Sequence, residues 1–247
     1  MKRLVPFVLV VAVLAGCGRG ERASAPGTVR LTVAPMWDGM PFDKNTIYTN
    51  ISDERIQVQL LKLYLGDVAL ISAGGDTVDV FDVDLFTLTD GPITRNYPAL
   101  SGDFDAVHVG LGVPAALNGM NPSMWANNEP LSVVNGMYWT WATMYRFMIF
   151  EGRFDTLSSG IGTPPYQFSI HTGRNECYRT GSLPVSFSLQ PGDTADLRIE
   201  LDLARFFYSA NDTLYMDTES QQHGSLGELP MSQKFSDMVI ASMSAQP

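Results

Sequence analysis

Cysteine, histidine and basic residues are all scarce in this sequence of 247 residues, which has two cysteines, three histidines and a net charge of −10. Two cysteines allow at most one disulfide, so stability has to come from a hydrophobic core. The excess of acidic residues would repel phosphate backbones, and we therefore predict no nucleic-acid partner. The same charge disfavours direct binding to an anionic membrane surface and suits the attraction of cations.

Motifs of common catalytic sites are also missing. The sequence contains no His-x-x-x-His pair, no nucleophile elbow and no glycine-rich phosphate loop. These three patterns carry metal-dependent hydrolysis, acyl transfer and phosphate binding respectively. We therefore predict that the protein is a binding protein and not an enzyme.

The N-terminus has the pattern of a bacterial lipoprotein signal. A basic start precedes an uncharged run at residues 4–15, which is shorter than the roughly 20 apolar residues of a transmembrane helix. The run ends in Leu-Ala-Gly-Cys at residues 14–17, which resembles the lipobox, where the cysteine thiol accepts a diacylglycerol. We predict a signal peptide at residues 1–16 and lipidation of Cys17. The alternative is an ordinary signal peptide that ends near a cysteine.

The segment after the signal predicts a tether and then one domain. Residues 17–27 comprise the lipidated cysteine and a small, polar stretch without periodicity, which is typical of a flexible linker. Residues 28–247 are enough for a single large domain. Gly18, rather than an aspartate, follows the cysteine, which favours the outer membrane. We therefore predict a lipid-anchored envelope protein that faces the periplasm or the cell surface.

Most of the domain shows the alternation of apolar and polar residues that is typical of half-buried strands. The clearest runs are residues 28–34, 105–111, 183–189 and 195–203. In the last run Leu197, Ile199 and Leu201 share one face. Residues 56–71 predict two strands broken at Gly66-Asp67. Short strands and recurring turns predict an all-β, antiparallel β-sandwich, with a short C-terminal helix at residues 231–243.

The most informative region spans residues 130–173. We predict one strand at residues 137–151, with Trp139 and Trp141 on a shared face, and a second strand at residues 166–171. A hairpin of the two would bring His171 opposite residues 141–146, near the tryptophans.

This region resembles the MbnP-like family of methanobactin-associated periplasmic copper-binding proteins. The resemblance extends over most of residues 28–243. It is carried by a few short motifs, which are Asn135-Gly136-Met137-Tyr138-Trp139-Thr140-Trp141, Glu151-Gly152-Arg153, Phe168-Ser169-Ile170-His171-Thr172-Gly173 and Val109-Gly110-Leu111-Gly112-Val113-Pro114. It implies a β-sandwich that binds copper in the bacterial envelope. It also implies a diheme c-type cytochrome partner, similar to MauG, that oxidises a tryptophan to kynurenine, which helps to bind copper beside a histidine.

The resemblance places the copper ligands at His171 and at Trp139 or Trp141, with Trp139 slightly favoured. His108 lies in a strand and His223 in a loop, and neither matches the expected second histidine. We expect water, Met137 or Cys177 to replace it, since sulfur is a soft copper ligand.

Each of these residues also has an ordinary structural explanation. The tryptophans could be core residues, His171 a surface residue and Cys177 a small buried hydrophobe. The alternative function is an adhesion or ligand-binding sandwich without metal, in which exposed Trp37, Tyr97 and Trp125 would stack on sugars or peptides.

Overall fold

The computed structural model describes residues 26–139 and 144–247. The described residues form fourteen strands and three short or medium α-helices. The strands are β1 (Pro26–Trp37), β2 (Met40–Pro41), β3 (Tyr48–Thr49), β4 (Arg55–Ile71), β5 (Thr77–Thr87), β6 (Ile93–Leu100), β7 (Gly102–Leu111), β8 (Tyr138–Trp139), β9 (Met144–Asp155), β10 (Tyr166–Gly173), β11 (Arg179–Leu189), β12 (Thr194–Asp202), β13 (Gln221–Gln222) and β14 (Met243–Gln246). The helices are α1 (Ala115–Asn118), α2 (Met216–Glu219) and α3 (Leu229–Ala241).

These strands form two sheets in the described part of the chain. The five-stranded sheet has the order β14-β12-β1-β2, with β6 also paired to β1. The nine-stranded sheet has the order β11-β7-β4-β9-β10-β13, with β3 and β5 paired to β4 and β8 paired to β9. The predicted all-β sandwich with a short C-terminal helix is confirmed, and α3 packs on β10 and β11.

The sheets are mixed rather than wholly antiparallel. Strand β1 pairs in parallel with β12, so that Leu31 lies opposite Leu197 and Val33 opposite Ile199. These four side chains are buried in the core between the two sheets. The predicted inward face of β12 is therefore confirmed. Strands β1 and β12 can pair in parallel because they are far apart in sequence. A short hairpin between them would have required antiparallel pairing.

Residues 56–71 form part of one long strand, β4, and the predicted division into two strands is wrong. Asp67 adopts a φ of 48°, and the register of β4 against β7 shifts between Gly66 and Ala69. A β-bulge thus accommodates the polar residue without ending the strand.

A second hydrophobic cluster covers the outer face of the nine-stranded sheet. It includes Tyr64, Met137, Tyr145, Phe147 and Cys177. Two tyrosines of the sheet bind the segment around Pro130 and Leu131, which covers this face. The Tyr64 hydroxyl donates to the carbonyl of Pro130 at 2.9 Å, and the Tyr145 hydroxyl donates to the carbonyl of Leu131 at 2.7 Å. The central strands of this sheet are therefore buried on both faces.

The described residues contain no helix with the length and apolar character needed to cross a bilayer. The predicted signal peptide and Cys17 lie outside the described residues, as does Trp141.

Candidate metal centre

The β9–β10 hairpin places His171 on the outer face of the nine-stranded sheet. Phe168 and Ile170 point into the main core, so the intervening residues of β10 face the other way. His171 is only 6% exposed. His171 pairs with Ile149, and the predicted position opposite residues 141–146 is therefore wrong. The two strands of this hairpin pair almost up to the loop that joins them, which sets His171 further along β9 than predicted.

His223 lies beside His171, although the two residues are far apart in sequence. Strand β13 pairs in parallel with β10, with Ser169 opposite Gln221 and Ile170 opposite Gln222. Continuation of this register sets His223 next to His171, and their ring centroids are 5.2 Å apart. Sequence reasoning missed this second histidine, because a two-residue strand has no periodicity to reveal it.

Trp139 completes the group of rings. Its ring centroid lies 5.8 Å from that of His171 and 6.2 Å from that of His223. The predicted single strand at residues 137–151 is wrong, because β8 and β9 are separate strands that pair antiparallel, with Trp139 opposite Met144. The Arg146 guanidinium lies over the Trp139 ring at 5.1 Å, in a cation–π contact that holds the indole.

Two side chains contact the Nε2 atom of His171. Glu151 Oε1 lies 2.6 Å away and Ser169 Oγ 3.1 Å away. Both contacts involve the same ring nitrogen, whereas a Ser-His-acid triad needs the hydroxyl and the carboxylate on different nitrogens. The arrangement therefore does not have the geometry of a Ser-His-acid catalytic triad, although it contains all three residue types.

The remaining nitrogens are suited to a metal ion. The Nδ1 atoms of His171 and His223 are both buried, and neither has a hydrogen-bond partner among the described residues. Burial lowers the pKa of His171, an effect that the hydrogen bond to Glu151 opposes and the charge of Arg146 reinforces. A neutral imidazole is the form that coordinates a metal.

A helical cap holds the chain around His223. The backbone N–H of His223 donates to Glu228 Oε2 at 3.2 Å, and the same carboxylate oxygen accepts from the Ser225 N–H at 2.8 Å. Burial alone would raise the pKa of Glu228, but these bonds hold it below its usual value. The loop that carries His223 is thus tied to the start of the C-terminal helical region.

A comparison with protein families covers the part of the chain that carries these residues. The MbnP family model matches residues 26–225, a range that includes Trp139, His171 and His223. This chain belongs to the MbnP family. A solved structure, MbnP from Methylosinus trichosporium, is similar at 18% identity with a TM-score of 0.47, covering 77% of this chain and 80% of that chain. No curated protein matches this chain.

The other sequence-predicted ligands of this MbnP-family chain lie in the second hydrophobic cluster. Met137 and Cys177 are almost fully buried there. Burial raises the pKa of the Cys177 thiol, which disfavours the thiolate that binds metals. Their role as ligands stays a prediction. Within the described residues, no group of three or more His, Cys, Asp or Glu side chains is arranged to hold a metal ion.

The aromatic residues of the adhesion hypothesis do not form a stacking surface in this MbnP-family chain. Trp37 is 5% exposed and stacks on Tyr48 at 4.3 Å, so its expected exposure is wrong. Tyr97 is half-buried, and its hydroxyl donates to Asp84. Trp125 packs partly buried against the second cluster. Each ring is used to hold the fold together.

Proposed function

We propose that this protein binds copper in the bacterial envelope, with His171 and His223 as its nitrogen ligands and Trp139 beside them. The observation that carries the proposal is the pair of buried imidazoles, whose ring centroids lie 5.2 Å apart and whose Nδ1 atoms lack partners among the described residues. Buried polar atoms are nearly always hydrogen-bonded. Two such exceptions on adjacent imidazole rings support a metal site at this position.

The donor set favours copper over harder metals. Imidazole nitrogen suits copper, zinc and iron, whereas magnesium and calcium prefer oxygen. The carboxylate of Glu151 is already bonded to Nε2 of His171. Family membership adds the association with copper. We infer that the protein holds the metal without turnover.

Trp139 is proposed as the residue that is modified. Unmodified indole is a poor ligand, because its nitrogen lone pair belongs to the ring. Oxidation by two equivalents of peroxide would open the indole to N-formylkynurenine with release of two waters, and hydrolysis would then release formate. The kynurenine that remains has an aromatic amine and a ketone that can donate. A diheme c-type cytochrome is the proposed oxidant, and the contacts of the Trp139 ring with both histidine rings support the choice of this residue.

Copper titration of the three histidine variants tests the ligand assignment. His171→Ala and His223→Ala are each expected to weaken binding by more than about a hundredfold, because even second-shell changes cost tenfold to hundredfold. His108→Ala is the matched control, since His108 lies half-buried in β7 opposite Ser182. It should leave the affinity unchanged. Equal losses in all three variants, or no copper uptake by the wild type, would contradict the proposal.

Peptide mass spectrometry tests the modification. The tryptic peptide that ends at Arg146 contains Trp125, Trp139 and Trp141. After exposure to the host's cytochrome and peroxide, fragment ions should place kynurenine at residue 139, and the shift should disappear in Trp139→Phe but persist in Trp141→Phe. Trp125 serves as the internal control. A shift that survives Trp139→Phe would assign the modification elsewhere.

A further inference from the structure

The hydrogen bonds around His171 determine which of its nitrogens can bind a metal. A neutral imidazole carries one proton, and the nitrogen without it offers the lone pair. The 2.6 Å contact between Nε2 and Glu151 Oε1 is short, and an ionised carboxylate can only accept a hydrogen bond. Nε2 must therefore carry the proton, which leaves the lone pair on the buried Nδ1.

Glu151 is well placed to remain a fixed acceptor. It lies directly opposite Ser169 in the β9–β10 pair, and the Ser169 hydroxyl lies 3.4 Å from the same Oε1 atom. The side chain is 35% exposed and borders a cavity of about 260 Å³ that is also lined by Gln59, Gln167 and Gln221. One side of the carboxylate thus borders this cavity, while its Oε1 atom contacts the buried ring.

We propose that Glu151 is a positioning residue, which holds the His171 ring with its proton on Nε2 and thereby reserves Nδ1 for the metal. This proposal rests on the proposed copper site and deepens it. Metal-binding histidines commonly donate their second N–H to a carboxylate, which fixes both the tautomer and the ring orientation. Glu151 supplies that carboxylate from a strand, so its position is set by the sheet register rather than by a loop.

Two measurements on the copper-free and copper-loaded protein test the proposal. Long-range ¹H–¹⁵N NMR of the copper-free protein should show His171 protonated on Nε2 in the wild type and a mixture of tautomers in Glu151→Ala. Copper affinity should fall about tenfold to hundredfold in Glu151→Ala. Glu151→Gln keeps an acceptor oxygen, so it should retain the tautomer and recover much of the affinity.

The controls separate this proposal from the copper assignment itself. Glu200→Ala removes the same charge from β12 in the other sheet and should change neither measurement. His223→Ala should lose copper while His171 keeps its tautomer. If Glu151→Ala keeps both the tautomer and the affinity while His171→Ala loses copper, the positioning role is overturned and the copper site stands.

The remaining outcomes are also decisive. If the wild type binds no copper, the copper site fails, and the NMR result on the copper-free protein still decides the role of Glu151. If Glu151→Ala does not fold, the wild-type spectrum is sufficient, because a His171 protonated on Nδ1 overturns the proposal.

Discussion

A buried ion pair at the end of the β4–β9 ladder offers a quantitative test of how this fold is held together. Arg55 lies opposite Asp155, and its Nη1 atom is 3.0 Å from Asp155 Oδ2, with both side chains only 9% exposed. Arg55 also donates to the carbonyl of Gly162, and Asp155 Oδ1 accepts from the Leu157 N–H at 3.0 Å. The pair therefore anchors the loop between β9 and β10, the two strands that carry Glu151 and His171.

Removal of one partner should be costly. Arg55→Met leaves the Asp155 carboxylate buried without its counter-ion, and breaking a buried pair in this way costs about 3–5 kcal/mol. For a domain of this size that corresponds to a melting-temperature decrease of roughly 6–20 °C. The double variant Arg55→Met/Asp155→Leu should be less destabilised than the sum of the two single variants, because no charge is then left unpaired.

An exposed pair of the same residue types provides the matched control. Arg30 and Asp196 form an ion pair whose side chains are 51% and 60% exposed, so solvent screens their attraction. Urea unfolding of Arg55→Met and Arg30→Met should give a much larger change in midpoint for Arg55→Met, with unchanged slopes. If both variants lose the same stability, the buried pair does not anchor the loop and the reasoning is wrong.

Three further predictions concern other parts of the molecule. Ile199→Asp should prevent folding, as judged by loss of the β-type circular dichroism spectrum, because Ile199 is fully buried and an unpaired buried charge costs several kcal/mol or more. Cys17→Ser should move the protein from the membrane fraction to the soluble fraction on cell fractionation, and unchanged membrane association would count against lipidation. Burial raises the pKa of Glu54, so its contribution to stability is fully present below its unfolded pKa of about 4.5 and is lost as pH rises through the folded pKa. Glu54→Gln should therefore flatten the decrease in the free energy of unfolding in urea as the pH rises above about 4.5, and an unchanged slope would contradict this assignment.

Local sequence patterns determined most of the architecture. Strict alternation in β12 identified Leu197, Ile199 and Leu201 as inward residues, because a strand has only two faces and one of them is buried. The same periodicity placed His171 on the face opposite Ile170. The C-terminal helix was predicted at residues 231–243 and is observed as α3, Leu229–Ala241. Each of these features depends on neighbours within a few residues, which the sequence displays directly.

Only the tertiary structure decided the composition of the candidate site. His223 reaches His171 through the two-residue parallel strand β13, and such a strand is too short to show a period. Trp139 reaches both rings because β8 pairs back on β9. These contacts join residues that are distant along the chain, and the free energy of closing a loop changes only slowly with its length. Sequence separation therefore does not predict which distant histidine lies beside His171. The register of β13 against β10 determines that it is His223.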